Sequence, residues 1–246
     1  MPSIARLRPA VSGLLVIGAA ALSACGEDVS GEARPAAEDA VSCDAAVVLV
    51  LDVSLSMEAT DVAPSRLLAA QQAARDFAAG LPQRTPLGLV TFAGTASVLT
   101  SPTTDRGAFT SALETVTLSE RTATGEGIYA GLSAFAARAE SEGPHRIVLL
   151  SDGKQTVPLS LDEPRGAYTA ARDAQRKNVR ISSISLGTQQ GYVEVPDASG
   201  AGAQRVRVPS DPESLGEIAR LGGGDFYEAT SRDELTTAFE AMTCGS

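Results

Sequence analysis

The sequence predicts an α/β domain: a doubly wound, mostly parallel sheet with helices on both faces, one antiparallel edge strand and an inserted hairpin. Three observations predict it. From Asp44 onward, short apolar runs alternate with stretches of helical length and period, the pattern of strands joined by crossover helices. The runs Val47–Leu51 and Ile147–Leu150 are apolar at every position, as strands buried on both faces are. With 43% hydrophobic and 20% charged residues in a chain of 246 and no Trp, the composition is globular and the core must rest on Val, Leu, Ile and Ala.

The elements follow in order. Val47–Asp52 is a continuous strand. Ser65–Ala79 is a helix capped by Ser65, with Leu67, Leu68, Ala74 and Phe77 on one stripe. Leu87–Phe92 is a strand. Ser97–Thr100 follows after Ala93-Gly94-Thr95, a connection short enough to make the pair antiparallel and to put Ser97–Thr100 at the sheet edge. Asp105–Val116 and Gly125–Ala139 are helices, Arg146–Leu150 a buried strand, Gly166–Arg176 a helix and Arg180–Leu186 a strand. Tyr192–Val195 and Arg205–Val208 alternate apolar and polar around a Gly-rich turn and form the inserted hairpin. Ser214–Leu221 is a helix, Asp225–Ala229 the last strand and Arg232–Met242 a closing helix.

The first residues do not belong to this domain. Arg6 and Arg8 precede an apolar run, Val11–Leu22, too short to span a bilayer comfortably, and small residues follow. This is a secretory signal pattern over residues 1–24. Its end, Leu22-Ser23-Ala24-Cys25, resembles the lipobox of bacterial lipoproteins, which implies that Cys25 is lipidated and leads the mature chain; the other reading is an ordinary signal peptide with an incidental cysteine. Residues 25–42 are rich in Ala, Glu and Asp, carry Pro35 and have no apolar period. They read as a lipid anchor and flexible acidic tether that reaches about 55–60 Å when extended. The domain then occupies 43–246. If Cys25 carries lipid, Cys43 and Cys244 are left to pair. A bridge between them would close a loop of about 200 residues, which the chain-entropy model values at roughly 5 kcal/mol, and export makes it persistent.

The formal charge of −10 argues against nucleic acid, whose phosphates need a basic surface. The single histidine, His145, stands beside Pro144 at a strand start and reads as an edge residue. A His-based zinc site is unavailable, and a Ser-His-Asp triad would have to work from the wrong end of the strand. Gly125-x-Gly127-x-x-Ala130 formally matches a dinucleotide fingerprint, but TLSERTA ahead of it is not a buried strand. Its glycines are expected to let the loop and helix approach the site below. Gly222-Gly223-Gly224 lacks the Lys-Ser/Thr of a phosphate loop and reads as a helix C-terminal turn. Glu58 and Asp61 read as acids favourable to a helix N-terminus, with a supporting role at the site as the alternative.

Ligands of open α/β sheets bind outside the carboxyl ends of the strands, and there the chemistry concentrates. The first strand ends in Asp52-Val53-Ser54-Leu55-Ser56, one carboxylate and two hydroxyls. The strand through Leu150 runs into Ser151-Asp152-Gly153, with Gly153 permitting a sharp exit. Thr122-Ala123-Thr124-Gly125 opens a helix between them, where a hydroxyl could reach the same cluster. An all-oxygen set of this kind suits a hard divalent cation.

Asp-x-Ser-x-Ser, then Thr-x-x-Gly, then Ser-Asp-Gly, in this order, resembles the von Willebrand factor A domain. DVSLSMEATDVAPSRL, GLVTFAGTASVLTSPTTDR, RTATGEGIYAGL and LLSDGKQTVP carry the likeness toward bacterial members, over roughly Asp44 to Cys244. The resemblance implies a Rossmann-like fold and a metal-ion-dependent adhesion site of Asp52, Ser54, Ser56, Thr122 and Asp152, with Asp152 acting mostly through water. Thr124 takes a position that is usually aliphatic, which leaves Thr122 against Thr124 open. The metal would be Mg²⁺, or Mn²⁺ or Ca²⁺, and the ligand an Asp or Glu of a partner protein. No base or nucleophile stands beside the set, so the expectation is recognition rather than catalysis. The protein expected is a membrane-anchored, extracytoplasmic and monomeric domain. The alternative is a metal-indifferent scaffold or assembly factor of an envelope complex.

Overall fold

The structure is a computed structural model that describes residues 45–136, 145–196 and 202–243. Cys25, Cys43, Cys244, the leader and the tether fall outside these residues, as do the last turn expected for the 125–139 helix and the turn of the hairpin. Strands β1 (Ala46–Asp52), β2 (Leu87–Phe92), β3 (Ala96–Thr103), β4 (His145–Ser151), β5 (Val179–Leu186), β6 (Tyr192–Pro196), β7 (Ala203–Arg207) and β8 (Gly223–Ala229) alternate with helices α1 (Arg66–Gly80), α2 (Arg106–Glu114), α3 (Thr124–Ala136), α4 (Ala167–Arg176), α5 (Pro212–Gly222) and α6 (Arg232–Met242). The main sheet has the order β3-β2-β1-β4-β5-β8, parallel except for β3 at the edge. β6 and β7 form a separate antiparallel hairpin. The predicted class and edge strand are what the fold shows.

Every residue of β1 is buried, because alternate side chains point into opposite layers. Val47, Leu49 and Leu51 pack with α1, α2 and α6 through Phe77, Phe109 and Phe239. Val48 and Val50 pack with α3, α4 and α5 through Ile128, Ala170 and Ile218. From β1 the chain builds outward to β2 and β3 on one side and returns to β4 on the other. The carboxyl ends of β1 and β4 therefore form the topological switch point, where such sheets hold ligands.

α1 is capped by Ser65, whose hydroxyl accepts from the Leu68 N–H at 3.3 Å. Leu68 itself is 52% exposed, which corrects its expected place on the apolar stripe. Neighbouring helical residues point about 100° apart, and Leu67 and Arg66 take the buried side instead. Gly223 ends α5 in the left-handed region at φ 68°, as expected of a helix C-terminal turn. Gly127 serves packing rather than the site: a Cβ there would lie 2.7 Å from the Phe92 ring, so it lets α3 press onto β2. Arg146, paired with Val47 in the β1–β4 ladder, donates from Nη1 to the Met242 carbonyl at 3.1 Å. The described domain thus begins and ends at the same edge of the sheet, opposite Asp52. No helix of the described residues is long and apolar enough to cross a membrane.

Candidate metal centre at the switch point

β1 and β4 each deliver one carboxylate to the carboxyl edge. Asp52 ends β1 with no exposed surface, and Asp152, 2% exposed, follows β4. The Asp52 carboxylate accepts the Ser54 N–H at 2.8 Å on Oδ1 and the Ser151 hydroxyl at 2.5 Å on Oδ2. A short 3-10 helix, Leu55–Glu58, turns the chain back over the edge and sinks Met57 into the core. The turn brings the Ser54 and Ser56 hydroxyls to 2.9 Å of each other, and Ser56 lines the same cavity as Asp152 and pulls its carboxyl down. Gly153 makes the exit from β4 at φ 98°, where a Cβ would lie 2.5 Å from the Asp211 carbonyl oxygen. The structure therefore brings Asp52, Ser54, Ser56 and Asp152 together at one edge.

The residue that sequence reasoning missed is Arg66. It is fully buried at the first turn of α1 and donates from Nη1 to Asp152 Oδ2 at 2.9 Å. Its Nε and Nη2 hold both oxygens of Asp61, at 2.8 and 2.7 Å, and Nη2 also reaches the Val208 carbonyl at 2.9 Å. Gly187 and Gly191 make room for it; a Cβ at Gly187 would stand 2.5 Å from the Arg66 Cζ. Asp61 in turn accepts from the Thr188 N–H and hydroxyl, at 2.7 and 2.9 Å. Asp61 is therefore not a helix-terminus charge but the anchor of the arginine that grips Asp152. Glu58 stays exposed.

The charges leave a deficit. Three carboxylates face one guanidinium, so two negative charges are uncompensated when all are ionised. Burial, then the neighbouring Asp152, push the Asp52 carboxyl up to about 7 against the pull of its Ser151 and Ser54 hydrogen bonds. Burial also raises Asp152, opposed by Ser56 and Arg66. Burial would raise Asp61 too, but the hydrogen bonds from Arg66 and Thr188 outweigh it and hold Asp61 below its usual value. A divalent cation would supply the missing charge, and the donors are all oxygen, which suits a hard ion. Among the described residues no group of three or more His, Cys, Asp or Glu could hold a metal, so the serine and threonine hydroxyls are needed to complete a ligand set.

Above the cluster opens a cavity of about 260 Å³, lined by Ser54, Ser56, Thr122 and Asp152. Thr122 lines it and Thr124 does not. The loop carrying Thr122 is laced to the segment after β4: its N–H donates to Thr156 Oγ1 at 2.8 Å, and its carbonyl accepts from the Thr156 N–H at 2.8 Å. Thr124 is buried at the start of α3, and its hydroxyl has no hydrogen-bond partner. Gln155, also unforeseen, accepts on Oε1 from the first-turn N–H groups of α3 at Gly125 and α4 at Ala167, at 3.3 and 3.1 Å. His145 stacks on Phe135 at the start of β4, roughly 20 Å of strand away from Asp152, so no imidazole of this chain reaches the carboxylates.

Residues 47–155 match the von Willebrand factor type A domain family. A UPF0353 protein from Nocardia farcinica is 56% identical over 207 residues, which are 80% of this chain and 62% of that protein. The chain spans less than two thirds of the length of the curated relatives it matches. An aerotolerance-related membrane protein from Bacteroides fragilis shares the fold at a TM-score of 0.68 and 23% identity, over 80% of this chain and 96% of that one. A proximal thread matrix protein from the mussel byssus, solved with zinc in its MIDAS motif, superposes at a TM-score of 0.60 and 19% identity, over 82% and 46%.

Proposed function

We propose that this chain, which matches the von Willebrand factor type A domain family over residues 47–155, recognises a protein partner through a divalent ion at the switch point. The observation that carries this reading is the uncompensated double negative charge buried beneath an open cavity. Asp52, Ser54, Ser56 and Thr122 would hold the ion. Asp152, with one oxygen committed to Arg66, would act through a bridging hydroxyl or water. Mg²⁺, or Mn²⁺ or Ca²⁺, would supply a Lewis-acidic position for an Asp or Glu of the partner. The chain's own contribution is to pre-align these oxygens, keep one face of the site open and offer no base for hydrolysis. The zinc-bearing mussel relative supports the choice of site.

The placement we propose is the outer face of a membrane, through a lipid on Cys25, with Cys43 and Cys244 bridged. Support for the bridge comes from the Arg146–Met242 hydrogen bond beside the start of β1. One observation favours the other reading, a metal-indifferent scaffold: Arg66 already gives Asp152 a permanent counter-ion. Scanning calorimetry separates the two. Millimolar Mg²⁺ should raise the melting temperature, since a ligand of the folded state stabilises it by RT ln(1 + [L]/Kd), and Asp52→Ala should remove the rise. A wild type indifferent to Mg²⁺, Mn²⁺ and Ca²⁺ would leave the scaffold reading.

A further inference from the structure

The mouth of the cavity is ringed by cations. Arg121, on the loop before α3, Lys154, two residues beyond Asp152, and Arg207, at the end of β7, all line it and all are exposed. Asp152 is the one acidic residue in the lining, and it is buried and paired with Arg66. Among the described residues no ion pair engages Arg121, Lys154 or Arg207 with a carboxylate. In a chain of formal charge −10, three exposed cations around one cavity, with no exposed acid lining it, are a local cluster of positive side chains.

The side chain of Arg207 and the backbone of Arg121 are fixed in place. Arg207 donates from Nη2 to the Gln189 carbonyl at 2.5 Å, and Gln189 is tied by its own side chain to the Ser210 carbonyl at 2.8 Å. Arg121 adopts φ 69°, in the left-handed region that a non-glycine residue enters only at a cost. The backbone on either side fixes it, with Gly94 N–H donating to the Glu120 carbonyl at 2.9 Å and Ala123 N–H to the Ala93 carbonyl at 2.6 Å. Elements far apart in sequence thus converge on one entrance.

We infer that this cavity takes a short acidic peptide segment of a partner protein rather than an isolated carboxylate. The central Asp or Glu goes to the ion, and further carboxylates within a few residues of it go to Arg121, Lys154 and Arg207. The inference deepens the metal-dependent reading and rests on it. Charge complementarity of this kind gives specificity and a fast, salt-sensitive approach. It also disfavours partners whose flanking residues are basic, by like-charge repulsion.

The test is fluorescence anisotropy of two labelled decapeptides on an Ala/Ser background, one with a single central Asp and one with three Asp at alternate positions. Titrations run with the whole protein in 5 mM Mg²⁺ and again in EDTA. The triacidic peptide should bind at least tenfold more tightly than the monoacidic one. The advantage should shrink as salt rises and vanish in the surface variant Arg121→Ala/Lys154→Ala/Arg207→Ala, whose circular dichroism and melting curve should match wild type. Equal affinity of the two peptides, both lost in EDTA, overturns the acidic-segment inference and leaves the metal reading standing. A triacidic preference that survives EDTA but is lost in the triple variant keeps the basic ring and sinks the metal reading. Failure of both peptides, together with sedimentation on phosphatidylglycerol but not phosphatidylcholine vesicles, overturns the inference in favour of a lipid surface, and failure of peptides and vesicles alike overturns it outright.

Discussion

Replacing Asp52 by Asn should move stability in opposite directions with and without metal. Asp52 is fully buried, and its carboxyl is pushed up from 3.8 to about 7. A carboxyl raised on folding contributes most where it is protonated, and stability is lost as pH rises from the unfolded value through the folded one. Between pH 5 and pH 7 that loss is about 2 kcal/mol, and most of the small remainder is gone by pH 8. Asp152 shifts in the same direction. Asp61 shifts the other way, and its window lies below the ordinary carboxylate value, outside this range. In EDTA, wild type should therefore melt lower at pH 8 than at pH 5, and Asp52→Asn should flatten the slope. The amide keeps the size of the carboxyl and removes its charge, so the variant should be the more stable of the two at pH 8, by about 1–3 kcal/mol after the loss of the charge-assisted Ser151 and Ser54 hydrogen bonds. For a domain of this size that is roughly 2–10 °C. In millimolar Mg²⁺ the order should reverse, because only wild type gains the ion. The assay is scanning calorimetry of both proteins at pH 5 and 8 in EDTA and in Mg²⁺. An Asn variant less stable than wild type in EDTA by the same margin at both pH values would refute the argument that Asp52 is a stored electrostatic cost.

Three further outcomes follow from the geometry. Arg66→Met strips a buried cation from Asp61 and Asp152, and urea unfolding in EDTA should show a loss of about 3–5 kcal/mol; a loss under 1 kcal/mol would mean that the pairing does not hold the site. Gly153→Ala puts a Cβ against the Asp211 carbonyl at φ 98°, and it should cost about 1–3 kcal/mol and weaken the Mg²⁺-dependent thermal shift, whereas an unchanged shift would show that the exit from β4 does not position Asp152. Under non-reducing conditions Cys43→Ser should lower stability by up to about 5 kcal/mol, and reductant should bring wild type down to the same level; equal melting of wild type with and without reductant argues against the bridge.

What was legible follows from how each residue signals itself. Asp52 and Asp152 end unbroken apolar runs, so both the strands and their polar termini stand out in the sequence. The hairpin announces itself by alternation. Arg66 carries no such signal, since an arginine in the first turn of a helix is ordinarily a solvated side chain; only the glycines at 187 and 191, more than a hundred residues on, make a chamber for it. For Asp61 the supporting role is only the alternative reading for the same reason, its partner being invisible until the fold closes. Gln155 bonds backbone N–H groups of two helices, a role that any polar residue could announce equally. Arg121, Lys154 and Arg207 form a ring only because the topology brings two loops and a hairpin to one edge.

The described residues begin and end at the edge opposite the carboxylates, and this gives the domain a direction under tension. A partner pulling at Asp52 and Ser54, against an attachment on the amino side of Ala45, would stretch β1 end to end. The load then runs along seven residues of covalent backbone, in the middle of the sheet. To slide, β1 would have to shear its ladders with β2 and β4 at once, while a force applied through β3 or β8 would open a single ladder rung by rung. On the proposed reading, the strand that would offer the first ligands is also the mechanical axis of the domain, and a pull on a partner held there would be carried to the opposite edge without passing through a helix or a loop.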